Sequence, residues 1–292
     1  METLRQIIAR ADQEKIAIGH FNISNLEGFW GVVRAAKNLD LPIIIGLSEG
    51  ERDFVGLRQA RALVDSARTE FNQSIFLSAD HTSSLERAKE AIESGFDLIV
   101  FDRSELSLED NIAETKKCVE YARSVKPDIL MEGELGYIGK SSKVLDELPV
   151  GAALDESSIT KVEEARQFVA ETGVDLFSPA VGNIHGMLKN AANPRLFIDR
   201  IKEIREATGV PLVLHGGSGL TDEDFLAAIE AGITIIHINT ELRIAYHQAL
   251  VESLQENPEE IAPYKYLKSS IVAVKQATEK RLKLFSRLPS QV

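Results

Sequence analysis

Three histidines stand out as a group: His81, His185 and His215 each lie at the C-terminal side of a short apolar run. Three neutral imidazoles that leave a fourth position open form the ligand pattern of a catalytic zinc site. Taken singly, a histidine beside a strand is more often an ordinary core or loop residue. His20, in the middle of a run, and His247, inside a helical pattern, are read that way. His215 also opens the segment His215-Gly216-Gly217-Ser218-Gly219-Leu220. Glycines let backbone N–H groups approach an anion closely. Further on, Asn239-Thr240-Glu241 leads into a helical pattern, whose first turn adds donors for the same anion. A glycine-rich loop beside a metal-type histidine points to a phosphorylated substrate.

The elements that must position these residues follow from hydrophobic period. Apolar, β-branched runs cover residues 16–21, 42–47, 75–80, 97–102, 129–134, 176–181, 211–215 and 233–239. Several lack a polar face, as strands buried on both sides should. Helical patterns lie between them. Ser83-Ser84-Leu85-Glu86 has capping-box spacing and its helix stops at Gly95, while Thr221-Asp222-Glu223-Asp224 opens one that ends at Gly232. Residues 111–125 and 159–172 read the same way. Eight strands alternating with helices over this length predict a (β/α)8 TIM barrel. A doubly wound open sheet is the rival, but no G-x-G-x-x-G follows the first run. No linker composition divides the chain, so residues 1–292 are read as one domain with a C-terminal helical extension from about residue 259.

A barrel carries its functional residues at the C-terminal ends of its strands. Those ends hold Asn22, Ser48, Asp80-His81, Asp102, Glu134, the 181–186 loop with His185, His215, and His237 with Asn239-Thr240. Polar and metal-capable groups recur at the same end of all eight runs. None of the runs contains a lysine, so a Schiff-base route lacks its nucleophile.

Composition removes other classes. The chain has 292 residues, a formal charge of −12 and one cysteine, Cys118. A single cysteine allows neither an internal disulfide nor a thiolate cluster, and suggests a reducing, cytoplasmic setting. The acidic balance argues against nucleic-acid binding, which needs a cationic surface. No run approaches the roughly 18 apolar residues of a membrane span, and the first fifteen residues read as a helix without a signal-peptide core. The charge is uneven: residues 261–292 carry +6 and residues 1–260 carry −18. The basic tail is read first as a solvated helix face on an acidic barrel. A second reading has it reach a neighbouring subunit to help bind a distal phosphate.

The sequence resembles the zinc-dependent class II ketose-bisphosphate aldolases, which include fructose- and tagatose-bisphosphate aldolases. The resemblance rests on Phe21-Asn22-Ile23-Ser24-Asn25-Leu26-Glu27, Ala79-Asp80-His81, Glu132-Gly133-Glu134-Leu135-Gly136 and His185-Gly186-Met187. Leu214-His215-Gly216-Gly217-Ser218-Gly219-Leu220 and Asn239-Thr240-Glu241-Leu242 complete it. It implies that His81, His185 and His215 hold a catalytic Zn2+, a Lewis acid on the substrate ketone. It implies that Asp80 exchanges the proton of the C4 hydroxyl. Asp102 and Glu134 match positions able to hold a second or displaced metal ion, and a monovalent cation is a further option. Gly186, Gly216, Gly217, Ser218, Asn239 and Thr240 match positions around the triose phosphate, with Asn22 and Ser48 suited to the rest of the sugar. The expected reaction is reversible cleavage of fructose 1,6-bisphosphate to dihydroxyacetone phosphate and glyceraldehyde 3-phosphate, in a homodimer or higher homo-oligomer. Tagatose 1,6-bisphosphate, another phosphorylated ketose, and a zinc-containing phosphosugar-binding protein with little turnover are the alternatives.

Three departures accompany the likeness. Relatives carry a Gly-Gly-x-Glu-Asp loop whose carboxylate shuttles a proton, where this chain has Gly139-Lys140-Ser141-Ser142-Lys143. Glu132, Asp146 and Glu147 are the candidate substitutes. His237 stands where an asparagine touching the substrate is usual, and is read as a polar substitute or a fourth histidine near the metal. Arg103 stands where a glycine is usual.

Overall fold

The computed structural model describes residues 2–139, 142–152 and 154–289. Its strands are β1 (Ile18–Asn22), β2 (Ile43–Leu47), β3 (Ile75–Thr82), β4 (Leu98–Phe101) and β5 (Leu130–Leu135). Then follow β6 (Val144–Leu145), β7 (Leu176–Pro179), β8 (Met187–Leu188), β9 (Leu212–Leu214) and β10 (Ile233–Ile238). The first helices are α1 (Leu4–Glu14), α2 (Leu26–Leu39), α3 (Glu49–Val55), α4 (Leu57–Phe71), α5 (Leu85–Glu93) and α6 (Leu108–Val125). The remainder are α7 (Val162–Thr172), α8 (Ile198–Thr208), α9 (Asp222–Ala231), α10 (Thr240–Glu256), α11 (Pro263–Tyr266) and α12 (Lys268–Phe285).

Eight strands close in the order β1-β10-β9-β7-β5-β4-β3-β2, each pairing in parallel with its neighbours. All eight expected runs are barrel strands, and the fold is a (β/α)8 TIM barrel with a C-terminal helical extension. The two short strands β6 and β8, unforeseen from the sequence, pair outside the barrel and join the loop after β5 to the loop after β7.

Helix α1 closes the bottom. A capping box fixes its start, with Thr3 and Gln6 exchanging backbone and side-chain hydrogen bonds. Its buried face, Leu4, Ile7, Ile8 and Ala11, packs on Ile18, Ile44, Phe76, Leu98, Leu130, Leu176, Val213 and Ile235. That set holds one residue from each barrel strand. Side chains two apart on a strand share a face, so the next inward positions are His20, Gly46, Ser78, Val100, Glu132, Ser178, His215 and His237. The barrel therefore turns from an apolar floor to a polar interior within one pleat, directly beneath its open end.

The extension after residue 259 is α11 and α12, with α12 lying against α2 and α10. Buried Arg281 on α12 clamps Glu241 through Nε at 2.8 Å and Nη2 at 2.6 Å, and reaches Asp222 at 2.9 Å. Arg281 of the basic tail is thus paired within its own chain, on a helix packed against the barrel.

Candidate metal centre and active site

Consecutive strand residues face opposite ways, yet Asp80 and His81 both serve the barrel mouth. A register shift explains this: Ala79 pairs with Ile99, but the next pair is Thr82 with Phe101. His81 takes up the irregularity at φ 41°, in the left-handed region that non-glycine residues seldom occupy. Backbone strain of this kind persists where the surroundings fix it.

Each of the three histidines has one ring nitrogen already committed. His81 Nδ1–H donates to Asp102 Oδ2 at 3.0 Å. His185 Nδ1–H donates to the Gly139 carbonyl at 2.6 Å, and His215 Nε2 is held by Glu132 Oε1 at 2.8 Å. The remaining nitrogens turn toward one another; those of His81 (Nε2) and His215 (Nδ1) are 3.2 Å apart. One nitrogen from each of the three rings fits within a 4.8 Å span. A tetrahedral zinc site with Zn–N bonds of about 2.0–2.1 Å has edges close to the His81–His215 separation. Outer carboxylates and carbonyls that fix the far nitrogen of each ring are the usual support of such ligands. The donor set therefore fits a zinc-type ion.

Asp102 thus stands behind His81, and also accepts from the backbone N–H of Ser104 at 3.0 Å. Glu134 Oε2 lies 3.5 Å from His81 Nδ1 and 3.9 Å from His215 Nδ1, and finds no hydrogen-bond donor. His81, Asp102 and Glu134 form a second group compact enough to hold an ion.

Electrostatics divide the imidazoles. Burial, with help from neighbouring His81, lowers His185 to about 4. Burial and the adjacent imidazoles push His215 well below the usual histidine range, and burial likewise lowers His237. Burial also acts against His81, but Asp80, Glu134 and Asp102 overcome it and raise this residue well above the usual value. Glu134 is raised by burial and by nearby Asp102, and Glu132 by burial and Asp80. Asp80 runs the other way: burial is outweighed by His81 and His237, and its carboxyl is held well below the usual range.

Asp80 is anchored through one oxygen, Oδ2, while Oδ1 has no hydrogen-bond partner. The Asn22 amide donates to Oδ2 at 2.9 Å, and His237 Nδ1 stands 3.3 Å from Oδ1. Asn22 also donates to Glu51 Oε2 at 2.9 Å. Buried Glu51 accepts from the Ser48 backbone and hydroxyl at 2.8 and 2.9 Å, and pairs with Arg243 at 2.7 Å. Sequence reading missed Glu51 and Arg243. The Ser48-to-Glu51 capping-box spacing was their only trace.

The phosphate-type loops meet over β9 and β10. Gly216 has φ 63°, and a Cβ there would lie 2.2 Å from the Ile184 carbonyl, so only glycine allows this approach of the two loops. Buried Asn193 ties them together, donating to the Gly186 and Ser218 carbonyls, each at 2.9 Å. Asn183 donates to the His215 carbonyl at 3.0 Å. Ser218 Oγ accepts the Asn239 and Glu241 N–H groups at 3.3 Å, at the start of α10. Gly217 differs from expectation: its N–H is spent on the His237 carbonyl at 3.2 Å.

A cavity of about 570 Å³ opens over these groups. Asn22, Ser48, Asp80, His81, Asp102, His185, Gly186, His215, Gly216, Ser218, His237, Asn239 and Thr240 all line it, with Arg103 and Arg243. Glu134 and Gly217 are absent from the lining. Of the candidate proton shuttles, Asp146 and Glu147 are exposed on the loop around β6 and Glu132 is buried behind His215; none lines the cavity. Lys140 and Ser141 lie outside the described residues. Arg103 is held at the rim by Glu114 at 2.5 Å and by the Ser83 carbonyl at 2.7 Å.

His20 is a core histidine, as expected, but its ring nitrogens are not satisfied. Its ring is buried in the barrel interior, stacked on His237 at 3.5 Å and 5°, and neither of its nitrogens has a hydrogen-bond partner.

Topology and site together define a (β/α)8 barrel whose open end carries a histidine cluster able to hold a metal ion. Comparison with known proteins gives the family: the model for fructose-bisphosphate aldolase class-II matches residues 2–288, and the chain belongs to that family. It is 33% identical over 286 residues to a fructose-bisphosphate aldolase of Staphylococcus aureus strain Mu50, covering 97% of this chain and 96% of that one. The corresponding protein of Geobacillus stearothermophilus is 32% identical over 289 residues, with the same two coverages. Among solved structures, the YdjI aldolase of Escherichia coli K12 superposes with a TM-score of 0.80 at 30% identity, covering 97% of this chain and 96% of that one. Among the described residues no helix is long and apolar enough to cross a membrane.

Proposed function

We propose that the chain is a zinc-dependent aldolase that reversibly cleaves fructose 1,6-bisphosphate to dihydroxyacetone phosphate and glyceraldehyde 3-phosphate. The observation that carries this reading is the set of three imidazoles, each with its outer nitrogen committed and its inner one turned to a common point beside Asp80. His81, His185 and His215 would hold the ion, with Asp102 and Glu132 fixing two of the rings. When bound, zinc supplies Lewis-acid polarisation of the ketone oxygen. Family membership and the reaction for which the bacterial relatives are named support the substrate.

The chain's own residues do the rest. Asp80, ionised and anchored by Asn22, accepts the C4 hydroxyl proton as the C3–C4 bond breaks; the electron pair stays with C3, which then takes a proton from water in the open cavity to give dihydroxyacetone phosphate. In condensation the same carboxyl returns that proton. Gly186, Gly216 and Ser218, with Asn239 and Thr240 at the start of α10, bind the triose phosphate; the Asn239 and Glu241 N–H groups are turned to Ser218 Oγ, and the helix dipole there still favours an anion. Asn22 and Ser48 face the remainder of the sugar. A coupled assay for dihydroxyacetone phosphate on fructose and tagatose 1,6-bisphosphates, beside metal analysis, tests the reading. Activity on fructose 1,6-bisphosphate that is lost to a chelator and restored by zinc is expected; turnover that ignores chelation counts against it.

A further inference from the structure

Beside the three-histidine cluster, in the same inward layer as His215, lie two further imidazoles that the proposed reaction leaves unexplained. His20 on β1 and His237 on β10 are register partners, and their rings stack at 3.5 Å with planes 5° apart. Space for this stack is provided by Gly46 on β2, where a Cβ would stand 2.1 Å from His20 Cε1. His20 is fully buried, and His237 and Asp80 are nearly so. Both nitrogens of His20 and Nε2 of His237 lack any partner, as does Oε2 of Glu132 on the same inner face. Buried polar atoms are nearly always satisfied, so unpartnered ones on one inner face call for a ligand that they share. One donor atom from each of His20, His237 and Asp80 fits within a 4.8 Å span.

We infer that His20, His237 and Asp80 form an inner cation site, separate from the His81–His185–His215 centre and selective for a divalent transition ion. Two imidazoles and a carboxylate suit zinc, cobalt, iron or nickel better than magnesium or calcium, which prefer oxygen. The 3.3 Å between His237 Nδ1 and Asp80 Oδ1 matches one edge of a coordination polyhedron whose bonds are about 2.0–2.2 Å. Coordination tilts the two rings out of their stack, since parallel lone pairs do not converge on one ion. Glu132 lends a nearby oxygen to offset charge. Asp80 Oδ1 lies 3.9 Å from His81 Nε2 as well as 3.3 Å from His237 Nδ1, so the charge of one ion is felt at the other and their occupancies are coupled.

The test is metal stoichiometry of the full chain after stripping, dialysis against Co2+ and removal of free ion. Wild type is expected to retain two equivalents. His20→Ala and His20→Phe are expected to retain one, the second variant keeping a ring in place in case the first leaves a destabilising cavity. His185→Ala, which strikes only the outer centre, is expected to retain the inner equivalent, so failure of the outer reading and of the inner one are told apart. A wild-type chain that holds a single equivalent overturns the inference. So does a second equivalent that persists in both His20 variants and disappears in Asp102→Ala, which would assign it to Asp102 and Glu134.

Discussion

The side-chain amide of Asn22 donates to Asp80 Oδ2 at 2.9 Å, joining the end of β1 to the end of β3 across the barrel mouth. Asn22 is in turn fixed by Glu51, so the direction in which Asp80 presents its carboxylate depends on a residue that touches neither metal ligand nor cavity floor. A hydrogen bond to a charged group is worth about 1.5–3 kcal/mol. Asn22→Ala is therefore expected to lower kcat roughly 10- to 100-fold, with bound metal unchanged. Steady-state kinetics with metal analysis on the same sample checks this, and loss of metal in step with activity would contradict it.

Asp102 acts on the metal centre through His81. Asp102→Asn keeps shape but weakens the contact that fixes the His81 ring, and is expected to reduce zinc affinity by about 10- to 100-fold. Competition with a chelator of known affinity measures it. An unchanged affinity would mean that Glu134, 3.5 Å from the same nitrogen, suffices to hold the ring.

The charge pattern sets a pH dependence for the metal-free protein. His185, at about 4, together with His20, His215 and His237, is lowered relative to the unfolded chain. For a lowered group the unfolded state binds protons first as pH falls, so its stabilisation is present above the unfolded value near 6.5 and is lost below it. His81 is raised, and its contribution is present below 6.5 and lost as pH rises through its folded value. Glu132 and Glu134 are raised too and, like His81, gain stability as pH falls. Four lowered groups thus stand against three raised ones, and Tm of the metal-free chain is expected to fall only modestly between pH 7 and pH 5. Because His81 must lose its proton to bind an ion, zinc uptake at pH 7 is expected to release protons. Calorimetry in buffers of different ionisation enthalpy detects that release. Uptake without it would contradict the charge assigned to His81.

Arg281 distinguishes a structural tail from a substrate-binding one. Its paired contacts to Glu241 and Asp222 hold α12 to the barrel. Arg281→Ala leaves Glu241 without its partner and is expected to cost on the order of 3 kcal/mol, read as a lower Tm, with KM for a bisphosphate little changed. A KM increase at unaltered Tm would instead assign the tail to phosphate binding.

The barrel was legible because its strands are buried on both faces, which leaves near-continuous apolar runs that β1 to β5, β7, β9 and β10 reproduce within a few residues. The site was legible because a barrel gathers its strand ends at one mouth, so His81, His185 and His215 converge although more than a hundred residues separate the first from the second. His20 could not be read in this way. Its meaning depends on the β1–β10 register that sets it against His237, and on Gly46 leaving room, and neither is a local signal. Asn183, Asn193 and Glu51 act by bracing loops whose paths only packing decides. β6 and β8 are too short for period to reveal.

The central claim is that Asp80 moves the proton while the three histidines hold the ion. Its most direct test is release of dihydroxyacetone phosphate from fructose 1,6-bisphosphate by wild type and Asp80→Ala, each carrying the same measured amount of zinc in the His81–His185–His215 centre. The expected result is cleavage by wild type and a kcat lower by about 10²–10⁴ in the variant. Equal rates at equal outer-site zinc, or a folded, zinc-loaded wild type that cleaves nothing, would contradict the account.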